Sequence, residues 1–356
     1  MSAHGSDASD RSRVAAQLLD DIESLARRVT KVHLDRSPAM VRRYPQAKAR
    51  CEEDTAHHLR HLAAAFITRR PALFDGYLAW AADLLSASGM DVGHLEDHLR
   101  TIIEVAREEL GPEVSAPLIE LLDGALERLE PARVEPPSLL RTDEPNGRLA
   151  RDYLTTLLEG ERSTGIAAVL QAVEEGLDIE TLYLEVLQPA LREVGRLWQL
   201  GRISVAQEHL VTAATQVAMS TLYPRIAGGP RTGPGVLVAS IGGELHEIGA
   251  RMLADVFELR GWTSHFVGAN TPTATVVELA RSRRVEVVAL SATLSAHVPE
   301  VTEVVRQLRA ATDAVVLVGG RAFLQLPDLW EATDADGTAS DAIGAVELAT
   351  ELVQAA

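Results

Sequence analysis

Apolar and polar positions alternate with three different textures along the chain. From Val14 to Leu129 the apolar residues recur every three or four positions: Leu18, Leu19, Ile22 and Leu25, then Leu59, Leu62 and Phe66, then Leu118, Leu121, Leu122 and Leu126. That spacing draws one apolar stripe along a helix. Residues 13–130 therefore read as a helical domain, and the polar stretch 1–12 before it as a disordered tail. Residues 131–147 hold four prolines and no period, the composition of a linker. The helical spacing returns over residues 148–227, with Asp178 and Ser204 placed as N-caps. This length suits a four-helix bundle. After the Gly/Pro-rich stretch 228–235 the texture changes again. Val236–Ser240 is a nearly continuous apolar run, as a buried parallel strand requires. Further strands are expected around Ser264–Val267, Val285–Leu290 and Ala314–Val318. They alternate with helical Arg251–Arg260, Thr273–Arg283, Val298–Ala310 and Asp341–Val353. The expected fold is therefore all-α, then α/β. Residues 232–356 form a Rossmann-like, doubly wound domain, taken here as a five-stranded parallel sheet.

Composition narrows the function classes. No apolar run among the 356 residues reaches the ~18–20 needed to cross a bilayer. The first ten residues, MSAHGSDASD, lack the apolar segment of a secretory signal. One cysteine, Cys51, excludes an internal disulfide framework and a multi-cysteine zinc site. With 34 Lys and Arg against 51 Asp and Glu, the net charge is −17. Nucleic-acid binding needs a basic footprint, so it is not expected. A cytoplasmic protein with no membrane partner is the resulting expectation.

The candidate chemistry begins in the loop after the first strand, since ligands of open parallel sheets sit beyond the carboxyl ends of strands. That loop reads Ile241-Gly242-Gly243-Glu244-Leu245-His246-Glu247-Ile248-Gly249. It is neither a GxGxxG turn nor a Walker loop. It offers an imidazole flanked by acids and glycines. A histidine there can ligate a metal while a carboxylate two residues earlier holds its far ring nitrogen, fixing the tautomer. A plain surface histidine on a βα loop is the other reading of the same residues. Glu244-x-His246-x-x-Gly249 resembles the D/E-x-H-x-x-G signature of cobalamin-binding domains. Two later landmarks follow in order: Ser291-Ala292-Thr293 at the end of the third strand and Gly319-Gly320 at the end of the fourth. The resemblance covers residues 232–356. It implies that His246 is the lower ligand of cobalt and Glu244 its partner. Leu245, Ile248, Gly249, Ser291, Thr293, Gly319 and Gly320 would then line the groove for the nucleotide tail. Glu244 stands where the family usually has Asp.

Just upstream, Trp198 lies on an apolar helix face with Leu191, Val194 and Leu197. Glu208 and His209 follow after nine intervening residues. Val205, Glu208 and His209 share a helix face. A flat side chain beside a carboxylate and an imidazole suits a nucleoside. A bundle-core tryptophan and a solvated Glu–His pair would have the same spacing. The W-x9-E-H pattern resembles light-sensing, adenosylcobalamin-dependent regulators, in which the bundle caps the corrin. By that resemblance Trp198, Val205 and Glu208 would enclose the adenosyl group, with His209 beside it. The family's repressors have a histidine directly after the tryptophan, a cobalt ligand after illumination. Here the residue is Gln199, which makes His209 the candidate substitute.

The N-terminal helical region holds Arg42-Arg43-Tyr44, then His57-His58-Leu59-Arg60-His61-Leu62, then Phe74, Tyr77 and Trp80. His57 and His61 are expected on one face and His58 elsewhere. Arginine binds carboxylate in a bidentate fork, so the cluster could hold the propionates of a tetrapyrrole. Phe74, Tyr77 and Trp80 equally fit plain core. A helical domain ahead of W-x9-E-H and a cobalamin domain resembles the photocobilins. That implies a globin-like domain holding biliverdin noncovalently, with Arg43, Tyr44, His57, His61 and Trp80 as its contacts. The whole reading is a light sensor and not an enzyme: a homo-oligomer, expected as a dimer, whose assembly changes with light and is read by an unidentified downstream protein. The rival is a corrinoid methyl-carrier protein of a methyltransferase system, which pairs the same two domain types.

Overall fold

The structure is a computed structural model that describes residues 3–129, 137–228, 232–326 and 328–355. The chain divides into two compact units, Met1–Arg133 with Leu294–Pro299, and Val134–Thr293 with Glu300–Ala356.

The first unit is all-α. Its described helices are α1 (Ala3–Asp20), α2 (Ile22–Arg36), α3 (Pro38–Arg43), α4 (Ala47–Thr68), α5 (Pro71–Ala87), α6 (Gly93–Glu109) and α7 (Pro112–Arg128). Proline opens α3, α5 and α7, where its missing N–H is no loss. Of the residues expected from the spacing, Leu18, Ile22, Leu25, Leu59, Leu62, Leu118 and Leu122 are buried, together with Val29, Leu99 and Ile102, while Leu19 is exposed and Phe66, Leu121 and Leu126 are only partly buried. Where a polar tail was expected over residues 1–12, the backbone of α1 is helical from Ala3 onward. Its buried residues, Val14, Ala15 and Leu18, lie in the second half of the helix.

The second unit joins the bundle and the α/β region. Of the expected linker, residues 131–136 lie outside the described residues. Helix α8 (Pro145–Leu158) starts slightly early, again on a proline. α9 (Arg162–Glu174) follows, and then α10 (Ile179–Thr181), which passes through a π-helical turn, Leu182–Leu187, into α11 (Gln188–Gln199). Pro189 has no N–H to give the preceding turn, a standard reason for a helix to widen there. α12 (Val205–Ile226) completes the bundle.

The α/β region runs β1 (Gly235–Ile241), α13 (Ile248–Leu259), β2 (Thr263–Thr271), α14 (Thr273–Arg283), β3 (Val287–Ser291), α15 (Val298–Ala311), β4 (Val315–Gly319), α16 (Arg321–Gln325) and α17 (Ala342–Ala355). The sheet is parallel in the order β2-β1-β3-β4. Among the described residues it has four strands where five were expected. The segment beyond β4 reads Asp-Ala-Asp-Gly, a poor strand composition. It makes one parallel bridge, Leu317 to Gly337, and Asp336 accepts the Val316 N–H with its side chain.

Bundle and sheet share one apolar core. Leu182, Val186, Val211, Met219 and Leu222 belong to the same cluster as Val256, Phe257 and Trp262. Two polar ties cross this core's edge. Arg260 forks onto Glu180 at 2.6 Å on both oxygens, and the Tyr183 hydroxyl donates to Asp255 at 2.8 Å.

Burial pushes the Asp255 carboxyl up to about 6, against ~3.9 for an aspartate in an unfolded chain. Between those values the folded protein keeps a proton that the unfolded chain has released. Stability from this group is therefore present in acid and is lost as pH rises through about 6. The D255N variant should lose, between pH 5 and 7.5, on the order of 1 kcal/mol of this pH dependence. Urea unfolding of both proteins at the two pH values measures it; equal slopes for wild type and variant contradict it.

Candidate functional site

The strand order reverses at β1, so the loops after β1 and β3 open on the same crevice, the place where such sheets bind ligands. Glu244 after β1 and Thr293 after β3 meet there. The Glu244 side chain is fully buried, at 0% exposure. One carboxylate oxygen accepts the His246 backbone N–H at 2.8 Å and faces His246 Nδ1 at 2.5 Å. The other accepts the Thr293 N–H at 2.6 Å. A buried carboxylate needs such donors, because losing water without them costs several kcal/mol. With Nδ1 engaged, Nε2 is the nitrogen left for a ligand, and the His246 side chain is 61% exposed. The Glu244 hydrogen bond holds the imidazole above the usual histidine range, against burial, with a smaller contribution from Glu208.

The other loop residues surround this lock. Leu245 is 73% exposed although its neighbour Glu244 is buried. Ile248 and Gly249 start α13, and Gly249 faces open space. Ser291 pairs with Ser240 and Gly319 across the strand ends. Gly320 has φ +94, and a Cβ there would lie 2.4 Å from the Ala292 carbonyl oxygen. Only glycine fits that approach.

The spacing from Trp198 to Glu208 and His209 is the end of one helix, a tight turn and the start of the next. Gly201, at φ +64, bonds to the Trp198 carbonyl and ends α11. Ser204 and Gln207 form a reciprocal capping box that opens α12. Val205 is 51% exposed. Glu208 accepts from Thr212 at 2.8 Å and faces His209 Nδ1 at 2.5 Å. His209 itself stands open to solvent. A seam of hydrogen bonds ties α12 to the region below His246: Gln216 to Glu247 at 3.1 Å, Arg251 to Ser220 at 3.0 Å and Tyr223 to Glu258 at 3.3 Å.

In the first unit the expected set separates. His61 is buried and stacks on Tyr77 at 3.7 Å, and Tyr77 leads to Trp80 at 6.1 Å. His57 is exposed, and Arg43 and Tyr44 sit exposed at the end of α3, paired with each other. The expectation for His57 and His58 is reversed: His58 is the buried one, and its Nδ1 meets the Tyr77 hydroxyl at 2.8 Å. The buried stripe of α4 runs Cys51, Thr55, His58, Leu62 and Ala65, and His58 lies on it. Sequence reasoning missed His33 and His98. They stack at 4.9 Å, His98 meets His58 edge-on at 5.1 Å, and Thr55 bonds to His98 at 2.8 Å. The available signal was position: both continue apolar stripes, after Val29 on α2 and with Leu95 and Ile102 on α6.

Among the described residues no group of three or more His, Cys, Asp or Glu could hold a bare metal ion. A metal at His246 would need a carrier supplying its other ligands. An imidazole with one oriented free nitrogen, exposed Leu245 and Val205, and a glycine crevice beside β3 and β4 fit such a carrier: a large, partly apolar, metal-bearing ring with a tail. No described helix is long and apolar enough to cross a membrane.

Comparison with known proteins agrees. Residues 234–347 match the family model described as "B12 binding domain", and residues 149–223 match a second model of the same description. The chain is 29% identical over 195 residues to the HTH-type transcriptional repressor CarA of Myxococcus xanthus, 54% of this chain and 64% of that one. It thus spans less than two thirds of the repressor. It is 28% identical over 199 residues to dimethylamine corrinoid protein 1 of Methanosarcina acetivorans, 52% of this chain and 90% of that one. The Methanosarcina barkeri monomethylamine corrinoid protein has the same fold over 59% of this chain and 100% of its own, with a TM-score of 0.51 at 19% identity. These matches support a cobalamin-binding protein whose matched segments are the bundle and the α/β region.

Burial holds the His58 and His61 imidazoles down at about 3, and His98 well below its ordinary value. Against ~6.5 in an unfolded chain, stability from these groups is present above that value and is lost as pH falls below it. Lowering pH from 7 to 5 should cost roughly 2 kcal/mol for each such histidine. Acid titration followed by far-UV circular dichroism should show helix loss beginning above pH 4. A flat signal down to pH 4 contradicts this account.

Proposed function

We propose that the chain is a light sensor that binds adenosylcobalamin between the bundle and the α/β region, with biliverdin as a second chromophore in the first unit. The observation that carries the reading is the lock of Glu244 on His246 and Thr293, with Glu208 of the cap within electrostatic reach of the same imidazole. His246 would ligate cobalt through Nε2, the nitrogen that Glu244 leaves free. Bound adenosylcobalamin would supply a cobalt–carbon bond that visible light breaks. Ser291, Thr293, Gly319 and Gly320 would take the nucleotide tail. Trp198, Val205 and Glu208 would cover the adenosyl group, and with Gln199 after the tryptophan, His209 would be the cap imidazole beside it.

The size of the effect suits a switch. A cap face that loses an aromatic-sized contact of ~150–250 Å² at about 25 cal/mol per Å² loses roughly 4–6 kcal/mol at most. Moving a two-state equilibrium from 1:99 to 99:1 takes about 5.5 kcal/mol. Rearrangement of the cap can therefore change a homo-oligomeric interface, a dimer in this reading, which a downstream protein detects. In the first unit, His61 stacked on Tyr77 and Trp80 beyond it would offer aromatic contacts to a tetrapyrrole, and the exposed Arg43, Tyr44 and His57, which stand apart from them, would have to close on its propionates.

A corrinoid methyl carrier is the second reading, favoured by the 90% coverage of the dimethylamine corrinoid protein. Trp198 and Glu208 on the cap favour the bulkier upper ligand. Size-exclusion profiles of adenosylcobalamin-loaded protein, dark against illuminated, separate the two. A changed elution volume is expected, and unchanged profiles remove the switch. His246→Ala should abolish the histidine-ligated absorption spectrum and weaken uptake at least tenfold (of the order set by losing a metal ligand's supporting contacts). Unaltered colour and uptake would remove cobalt ligation at His246.

A further inference from the structure

The end of β2 is irregular at the point where it passes the His246 loop. β1 and β2 pair evenly from Gly235 with Thr263 to Val238 with Phe266, then slip twice, to Ala239 with Gly268 and Ile241 with Thr271. β2 lies at the sheet edge, where bulges are tolerated and often re-aim side chains. Two residues of the slipped stretch are left-handed, Gly268 at φ +84 and Asn270 at φ +50. Asparagine is among the few non-glycine residues that accept that conformation, because its side chain bonds locally.

Asn270 uses the conformation to grip the loop at two points. Its Oδ1 accepts the Gly243 N–H at 2.8 Å, and its own N–H donates to the Glu244 carbonyl at 2.8 Å. Those bonds bracket the turn closed by the Glu244 N–H on the Ile241 carbonyl, with Gly243 at φ +80. One residue earlier, the Ala269 N–H donates to Glu247 Oε2 at 3.2 Å, while Glu247 Oε1 accepts from Gln216 of α12. Residues 269 and 270 therefore hold the loop on both sides of His246.

We propose that Asn270 is a positioning residue of this site. It fixes the turn 241–244, so that the buried carboxylate, and through it the imidazole, is set before any ligand arrives. The proposal rests on the cobalamin reading. N270G keeps the left-handed backbone without steric cost and removes the Gly243 acceptor. N270D keeps both. With the full chain and adenosylcobalamin or hydroxocobalamin as probes, N270G should bind about tenfold or more weakly. Its bound spectrum should move toward the form without histidine on cobalt, and N270D should restore both. Wild-type affinity and spectrum in N270G, or an equal loss in N270D, would overturn the proposal. Amide hydrogen exchange of the cobalamin-free proteins gives a second reading. N270G should speed exchange at Glu244, His246 and Thr293 and leave β1 and β3 unchanged; an effect confined to Gly243 overturns the proposal. A wild type that takes up neither probe defeats the cobalamin reading, and the exchange measurement still judges Asn270.

Discussion

A single buried carboxylate, hydrogen-bonded to a neighbouring imidazole, organises the crevice of the second unit. Three contacts converge on Glu244, the His246 backbone N–H, His246 Nδ1 and the Thr293 N–H, and such partners offset the cost of burying a carboxylate. Each donor has a structural cause. The Thr293 N–H arrives because β3 ends level with β1, and the His246 donors arrive because the turn at Gly243 folds the loop back. The open Nε2 of His246 follows from the same arrangement, since the acid has claimed the other nitrogen.

The cap is tied to this crevice more firmly than two separate domains would be. The polar seam along α12, the Tyr183–Asp255 bond and the shared core around Phe257 make the bundle and the sheet one body. A change felt at Glu208 has a short path to Glu247, two turns along α12 and one side chain across. Such coupling is carried by packed and hydrogen-bonded elements that have two arrangements.

Most of this architecture was legible in the residues. The apolar run of β1, the helix stripes and the E-x-H-x-x-G loop each declare themselves through local spacing. Ser204 and Gln207 announce the start of α12 by their chemistry alone. What escaped depends on long-range placement. His33 and His98 look like single polar interruptions of helix stripes, and only tertiary packing makes them neighbours of His58. Asn270 sits beyond the expected end of β2, because the double slip that extends the strand has no period to detect. The missing fifth strand failed for a third reason. Its backbone lies beside β4, but its acids and glycine cannot sustain a ladder.

The π-helical turn at Leu182–Leu187 has a geometric meaning for the tryptophan that follows it. In an α-helix each residue advances the azimuth by about 100°, and a π turn inserts one residue without adding a full step of that rotation downstream. The widened turn therefore absorbs one extra residue locally. A chain shortened by one residue within that turn would wind as a regular α-helix and still present Trp198 on nearly the same face relative to Tyr183, so the turn sets the length of the segment between them and not the direction of the indole.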